Sequence, residues 1–377
     1  MLNKSSGGEK IRIILDVAHP AQVHFHRNSV KILEEKGHEV LITARKKDVL
    51  VDLLKKYNLE YTIISTQKTG FFGLFSELIQ RCYLLRKIVR NFQPDLMYSA
   101  GETASIVGKL EKVPTIVFND SEPVPLNKIL TYPWTNTICT PSTFTKELSE
   151  KQVKYNGYKE LAYLHPNYFS ADPAIYTELG LKPEEKFVLM RFVAWNALHD
   201  VGKHGFELKY KIKLVSELQQ FATVFITSES SIPEKLQKYK LPISPEKIHH
   251  ALYFASLYVG DSQTMATEAG VLGTPAIRCN SFVGKHDMGN FIELEKKYGL
   301  IFNYRNQADA LNKAIELVQR DDLKEEWKQK RTCLLNEKID VNRFIVWFIE
   351  NYPESFRIMK DKPEVQYQFK SGEKEIK

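Results

Sequence analysis

The chain has 377 residues. This is long enough for two domains, because a single hydrophobic core seldom grows beyond about 250 to 300 residues. Its 43% hydrophobic and 26% charged residues are close to the average of globular proteins and exclude a disordered chain. The net charge of +7 is scattered along the sequence, so anionic small molecules or lipid head groups suit it at least as well as a nucleic acid, and we expect no nucleic-acid partner.

The cysteines and the apolar runs of the sequence indicate where in the cell the protein is expected. The four cysteines form no Cys-x-x-Cys pair, which indicates neither a zinc site nor a redox motif and fits a reducing cytoplasm. Residues 1–10 lack the apolar core of a signal peptide and are expected to form a flexible lead. No run of about 18 uncharged apolar residues occurs. We therefore expect a cytoplasmic protein, with any membrane contact peripheral and at the inner face of the cell membrane.

Residues 11–168 show the strand–helix alternation of a Rossmann-like domain. Strands are predicted at 11–16, 39–43, 61–64, 96–99 and 115–118, and helices at 25–36, 47–57, 74–92 and from 103 onward, with a polar loop over 17–26. Because a helix connects each strand to the next, the sheet should be parallel.

Residues 174–338 repeat this alternation and predict a second domain of the same class. Strands are predicted at 187–192, 223–227, 255–259 and 276–278, and helices at 209–221, near His249 and after residue 262. The proline- and aromatic-rich stretch 163–173 is the predicted hinge. An apolar helix is predicted at 339–353, followed by a charged tail over 354–377 that we expect to be loose from residue 360.

The most informative segment runs from Asp261 to Pro275. The turn Ser262-Gln263-Thr264 opens a helix that Gly273 ends. Backbone N–H groups at such a helix start, together with the helix dipole, favour a bound phosphate. Glu268, about one turn further along, is placed to accept hydrogen bonds from a ribose. An ordinary strand–helix unit with a solvated glutamate gives the same pattern, so the segment alone does not separate the two interpretations.

This segment resembles the nucleotide-sugar-binding segment of GT-B glycosyltransferases and of UDP-N-acetylglucosamine 2-epimerase, in which an acid at the Glu268 position holds the ribose. The opening His19-Pro-Ala-Gln-Val-His24-Phe resembles an uncharacterised domain-of-unknown-function family of GT-B-like proteins, over nearly the whole chain. The resemblance implies an α/β GT-B fold. In that fold two Rossmann-like domains with parallel sheets face a cleft, and a C-terminal helix crosses back to the first domain.

Four side chains of the first domain are candidates for proton transfer. His19 and His24 follow the first strand, and ligands of open α/β sheets bind at the carboxyl ends of strands. A histidine suits the general base that deprotonates a sugar hydroxyl, although a hydrogen-bonded structural role is also common. Glu102 and Asp120 follow two later strands and are expected to meet. Resemblance to the 2-epimerase implies proton transfer at the sugar, with Glu and Asp exchanged, whereas a first-turn acid of a helix is the structural alternative.

Basic side chains of the second domain are candidates for holding a diphosphate. Arg191 lies near the end of strand 187–192, His199 and Lys203 follow it, and the glycines at 202 and 205 would let the backbone approach the phosphates. A charged surface loop is the alternative. The Gly-His-Arg-Arg-Glu segment that the 2-epimerase has at this strand end is absent, which disfavours a simple epimerase.

Asn290 belongs to the segment 284–290, where GT-B enzymes contact the transferred sugar. The His and Asp residues of this segment fit no standard ligand spacing. We therefore expect no metal ion and no cofactor.

Residues 69–90 predict a basic amphipathic helix with an aromatic entry at Phe71 and Phe72. This pattern is typical of membrane-facing helices, and also of a core helix that turns arginines to water.

These expectations predict a metal-independent glycosyltransferase. It would move a sugar from a nucleoside-diphosphate sugar, most simply a UDP-sugar, to a hydroxyl of a glycan or lipid-linked acceptor in cell-surface polysaccharide or glycolipid synthesis. The alternatives are a UDP-sugar 2-epimerase-like isomerase and a non-catalytic sugar-nucleotide-binding protein.

Overall fold

A computed structural model describes residues 9–99, 101–122, 126–193, 204–228, 231–285 and 287–370. The chain divides into two compact units. Unit 1 comprises Met1–Tyr163 and Ile339–Lys377, and unit 2 comprises Leu164–Lys338.

Unit 1 is built on a parallel sheet of seven strands. These are β1 Arg12–Val17, β2 Glu39–Lys46, β3 Tyr61–Thr66, β4 Leu96–Ser99, β5 Thr115–Phe118, β6 Thr137–Pro141 and β7 Gln152–Tyr155. Their order in the sheet is β3-β2-β1-β4-β5-β6-β7, and every neighbouring pair is parallel. The strand order reverses between β1 and β4, so the segments after these two strands leave the sheet at the position where open α/β sheets bind ligands.

Helices connect most of these strands and cover the sheet. They are α1 Pro20–Glu35, α2 Leu50–Lys56, α3 Gly70–Phe92, α4 Glu102–Glu111, α5 Asn127–Leu130 and, at the unit boundary, α6 Leu161–Leu164. The buried faces of α3 and α4 form one core with β1 and β4 through Leu85, Val107, Ile14 and Met97.

Unit 2 contains a parallel sheet of five strands with its own helices. The elements are α7 Ile175–Glu178, β8 Phe187–Phe192, α8 Leu208–Leu218, β9 Thr223–Ser228, α9 Ile248–Phe254, β10 Leu257–Gly260, α10 Gln263–Leu272, β11 Ala276–Cys279, α11 Gly289–Lys296, β12 Ile301–Tyr304, α12 Gln307–Val318 and α13 Leu323–Glu337. Short 3-10 helices span Glu234–Tyr239 and Pro245–Lys247. The strand order is β12-β11-β10-β8-β9, which places the reversal between β8 and β10.

The C-terminal segment belongs to unit 1, as predicted for the returning helix. It forms α14 Val341–Glu350, α15 Glu354–Asp361 and a 3-10 helix over Pro363–Phe369. Asp340 caps α14, and Asn342 donates from its side chain to the carbonyl of Ala162 at 2.6 Å. The stretch expected to be loose from residue 360 is therefore ordered through residue 370, because Phe369 is buried and its carbonyl accepts from the Asp340 N–H at 2.8 Å.

The predicted fold of two parallel Rossmann-like sheets is confirmed, with local differences. Helix α1 begins at Pro20, so most of the loop expected over 17–26 is helical. Strands β6, β7 and β12 were not predicted. In the described residues no helix has the length and apolar character needed to cross a membrane.

Candidate functional site

Helix α10 begins directly after β10, at the reversal of the unit 2 strand order. Ser262 caps the helix by accepting from the Met265 N–H at 3.4 Å. Gln263 and Thr264 are the first helical residues, and N–H groups at these positions have no acceptor within a helix. The predicted Ser262-Gln263-Thr264 turn thus has the geometry of an anion-binding helix start.

Glu268 lies in the second turn of α10 and is paired with a histidine that the sequence did not single out. Its Oε1 is 3.0 Å from Nε2 of His249 on α9, and both side chains are buried. A carboxylate offers about four acceptor positions, so Glu268 can accept from more groups than His249 alone. His249 therefore fixes the orientation of the carboxylate that the sequence assigns to the ribose.

Asp261 is fully buried directly after β10 and binds the backbone of two described residues that follow β8. Its carboxylate accepts from the N–H groups of Val193 at 2.7 Å and Phe206 at 3.2 Å. A Cβ at Gly205 would lie 2.1 Å from Asp261 Oδ2. A glycine is therefore needed at position 205 because any side chain would collide with Asp261, and not, as expected, to let the backbone approach a phosphate. His199, Lys203 and Gly202 fall within the segment outside the described residues.

Arg191 and Asn290 are placed by contacts within unit 2. Arg191, near the end of β8, donates from Nη1 to Thr227 Oγ1 of β9 at 2.9 Å. Asn290 is the second residue of α11, and its Nδ2 lies 3.4 Å from Thr267 Oγ1 on α10. Its buried Oδ1 accepts from no residue that the structure describes. Asn290 is thus brought to the helix that carries Glu268.

The segment before Asn290 is anchored by a buried ion pair that sequence reasoning missed. Arg278 of β11 donates to Asp287, and its guanidinium stacks 3.5 Å over the Phe291 ring. This pair connects the turn to the start of α11. In the sequence, Asp287 indicates a metal ligand as readily as a partner for an arginine of the preceding strand.

In unit 1, His19 is the N-cap of α1, and its imidazole is held in one protonation state. Its Nδ1 accepts from the Ala21 N–H at 3.3 Å, while the Gln22 side chain accepts from the His19 N–H. His19 keeps an exposed surface, but desolvation of the ring by surrounding protein atoms, together with Lys47 and other nearby cations, lowers its pKa to about 4. With Nδ1 used as an acceptor, a neutral ring carries its proton on Nε2, which favours a hydrogen-bond donor over a general base.

His24 and His26 lie further along α1 than the predicted loop implied. At 1.5 Å per residue, His24 is about 7.5 Å along the axis from His19. Its Nδ1 is 3.1 Å from the Tyr57 hydroxyl, and its ring lies against Tyr163. His26 is buried in an aromatic cluster, where burial lowers its pKa to about 3.

Glu102 is joined to the end of β1 through an arginine of α3. Arg81 donates to Asp16 Oδ2 at 2.8 Å and to Glu102 Oε1 at 3.3 Å. Burial raises the pKa of Asp16, and Arg81 and the Thr43 hydroxyl oppose this by stabilising the carboxylate. Asp16 and Arg81 are buried, whereas the Glu102 side chain is 32% exposed. Glu102 is therefore an accessible carboxylate held by a buried cation.

Asp120 follows β5, beside β4, so the two predicted acids do follow neighbouring strands. Its Oδ2 is 2.6 Å from Nζ of Lys159. Glu102 and Asp120 thus have different cationic partners, and the structure gives each carboxylate its own ion pair.

Two parallel Rossmann-like sheets, a polar helix start at one strand reversal and the returning C-terminal helix define a protein of the GT-B fold. The chain belongs to the family described as "Protein of unknown function (DUF354)", whose model matches residues 11–344. It is 23% identical over 278 residues to an uncharacterized protein of Methanocaldococcus jannaschii, which covers 70% of this chain and 80% of that protein.

Two solved structures illustrate the range of proteins with a similar fold. UDP-GlcNAc 2-epimerase from Neisseria meningitidis, bound to UDP-GlcNAc, matches with a TM-score of 0.65 at 12% identity and covers 90% of this chain and 100% of its own. The glycotransferase of kitacinnamycin matches with a TM-score of 0.59 at 12% identity and covers 91% of this chain and 99% of its own. At such identities the likeness shows the fold alone.

Proposed function

We propose that the protein is a glycosyltransferase that takes a UDP-sugar as donor and an acceptor hydroxyl of a glycan or lipid-linked molecule, in cell-surface polysaccharide or glycolipid synthesis. The observation that carries the proposal is the helix start at Ser262, with the oriented carboxylate of Glu268 one turn further along α10. A helix start at a strand reversal suits an anion, and a carboxylate one turn along suits a ribose, which supports the proposal. A neighbour described as bound to UDP-GlcNAc supports the choice of nucleotide.

The donor is held by unit 2. The Ser262-Gln263-Thr264 turn binds the diphosphate with Arg191, His199 and Lys203, and Glu268 accepts from the ribose hydroxyls. Asn290, whose buried Oδ1 lacks a partner among the described residues, contacts the sugar. The leaving diphosphate is stabilised by basic side chains and helix N–H groups, without a metal ion. Negative charge develops on the diphosphate as the bond to the sugar breaks. Because these groups bind the diphosphate more strongly as its charge grows, they lower the energy of the transition state and accelerate the reaction.

The transfer needs a base for the acceptor. The acceptor O–H loses its proton to the base, a new bond forms between the acceptor oxygen and the sugar C1, the C1–O bond to the diphosphate breaks, and UDP leaves. His24 is the proposed base, and Glu102 and Asp120 are the other candidates in unit 1. His19 has a lowered pKa, and its Nδ1 caps α1, so its Nε2–H donates a hydrogen bond to the acceptor substrate.

A 2-epimerase-like isomerase is the second candidate. The observation in its favour is that Glu102 and Asp120 follow the neighbouring strands β4 and β5, where a pair of acids could remove and return a proton at the sugar. A non-catalytic protein that only binds sugar nucleotides is the third.

The proposal is tested by calorimetry of UDP binding in the presence of EDTA. Glu268→Ala should weaken binding by about 10- to 150-fold, since hydrogen bonds to a charged group contribute about 1.5 to 3 kcal/mol. Glu325→Ala, on the exposed face of α13, is the matched control and should leave the affinity unchanged. Unaltered binding to Glu268→Ala would remove this residue from the site, and strict dependence on magnesium or manganese would contradict the metal-free diphosphate site.

A further inference from the structure

One surface of unit 1 is apolar and aromatic to an extent that folding does not explain. It lies on α3, where Phe71 and Phe72 are 80% and 85% exposed, and Phe75, Ile79 and Tyr83 are 58%, 56% and 58% exposed. An adjacent face of α3 supplies the buried residues, among them Leu85 and Val89. The helix therefore has one face in the core and a second apolar face in water, which in a globular protein marks an interaction surface.

The exposed residues form one stripe along the helix. Phe71, Phe75, Ile79 and Tyr83 recur every four residues, which places them on one side of an α-helix. Phe72 lies beside Phe71 at the helix start, with the two rings edge to face at 5.7 Å. The aromatic residues thus concentrate at the first two turns of α3.

The same stripe becomes basic toward the end of the helix. Arg86 and Arg90 follow Tyr83 by about one and two helical turns and lie on the same side of the helix, and Lys87 lies 4.8 Å over the Tyr83 ring. Glu111 of α4 accepts from both arginines, but exposed lysines at 109 and 112 flank it. These five cations around one carboxylate leave this end of the surface positively charged. The only acid within α3 is Glu77, which is buried and bonded to Arg45 at 2.6 Å.

We propose that this face of α3, from Phe71 to Arg90, docks on a membrane surface that carries anionic lipid. An aromatic end and a basic end on one helix face match the acyl boundary and the negative head groups of a bilayer. Protruding phenyl rings enter lipid without the complementary pocket that a protein partner would need. The charge of the surface selects anionic over neutral lipid. The docking does not depend on the transfer reaction, and it would bring the protein to the surface where a lipid-linked acceptor resides.

The test is flotation of the full-length protein with vesicles of phosphatidylcholine alone or mixed with phosphatidylglycerol. The wild type should bind the mixed vesicles at least about 10-fold better than the neutral ones, because each basic residue near an anionic surface contributes about 1 kcal/mol. The triple variant Phe71→Ser, Phe72→Ser, Phe75→Ser should bind both at least about 30-fold more weakly, since the affinity scales with buried apolar area. Replacing Arg86, Lys87 and Arg90 by Gln should reduce only the preference for the mixed vesicles.

The matched control removes exposed apolar side chains from unit 2. Leu208, Phe221 and Ile292 are 50%, 41% and 43% exposed, and their replacement by Ser should leave vesicle binding unchanged. Thermal unfolding without vesicles checks that the serine variants are folded. The proposal would be overturned if the triple variant of Phe71, Phe72 and Phe75 bound vesicles as well as the wild type, or if the wild type bound no vesicles. A wild-type dimer that this variant dissociates, seen by light scattering, would assign the face to a second copy instead.

Discussion

The His26 side chain is enclosed in unit 1 by the rings of Phe25, Tyr98 and Phe118, and no described residue hydrogen-bonds either of its nitrogens. Burial lowers its pKa to about 3, against an ordinary value of 6.5. The unfolded chain therefore binds a proton between these two values that the folded chain excludes. Above the pKa of the unfolded chain, His26 does not change the free energy of unfolding. As the pH falls from that value toward the pKa of the folded chain, the free energy of unfolding decreases.

His26→Phe should remove this pH dependence while filling a similar volume in the aromatic cluster. Between pH 7 and pH 5, the free energy of unfolding of the wild type should fall by about 2 kcal/mol more than that of the variant, since one pKa unit corresponds to about 1.4 kcal/mol. Urea unfolding of both proteins at the two pH values measures this difference. Parallel pH dependences would mean that the folded protein accepts the proton on His26.

His249 affects ligand selection through Glu268, if the proposed nucleotide site is correct. In that site, the 3.0 Å contact would hold the Glu268 carboxylate in one orientation toward the ribose hydroxyls. The wild type should therefore prefer UDP to its 2′,3′-dideoxy analogue by about 10-fold or more. His249→Leu should reduce this preference to less than about 3-fold, chiefly by weakening UDP, and His249→Gln, which keeps a side-chain N–H, should restore part of it.

Calorimetry with both nucleotides separates the possible failures. A wild type that binds neither nucleotide contradicts the proposed function itself. UDP binding with an unchanged preference in His249→Leu leaves the function standing and restricts His249 to a packing role.

At the scale of elements, periodicity predicted helices α1 to α4, α8 to α10 and α14 and most strands that a helix follows, but it did not predict α11, α12 or α13. It did not predict β6 and β7, because no helix separates these strands from each other, and it also missed β12, although β12 is as long as the predicted β4 and β5. The start of α1 was displaced by five residues, because His19 is an uncommon N-cap and Pro20 favours the first helical position. Histidines expected in a loop are consequently on a helix.

The candidate site shows the same division between local and distant information. The rule that ligands bind at the carboxyl ends of strands located the Ser262 turn, Glu102 and Asp120. The partners of these residues come from other helices and loops. Arg81 of α3, for example, binds Glu102 and also Asp16, which is 65 residues away in the sequence. Such partners depend on packing between elements that no local pattern encodes, and they decide which charge or tautomer each candidate presents.

For the whole molecule, the GT-B fold alone does not choose the reaction, since a 2-epimerase and a glycotransferase both match it. The two reactions differ in what happens to the sugar. A transferase breaks the C1–O bond and needs an acceptor, whereas an epimerase exchanges a proton on the sugar without one. Incubation with a UDP-sugar in deuterated water, with EDTA and no acceptor, should therefore leave the sugar free of deuterium, as mass spectrometry would show.

Substitutions at the candidate catalytic residues also distinguish a transferase from an epimerase. His24→Gln should lower acceptor-dependent UDP release by about 10²- to 10⁴-fold, the usual contribution of a general base, with donor affinity nearly intact. Glu102→Gln and Asp120→Asn should lower it less, and Glu111→Gln, at the other end of α4 from Glu102, is the control. Deuterium entry that is lost in Glu102→Gln while His24→Gln remains active would establish an isomerase, because deuterium enters the sugar carbon only when a proton is removed there and returned from solvent.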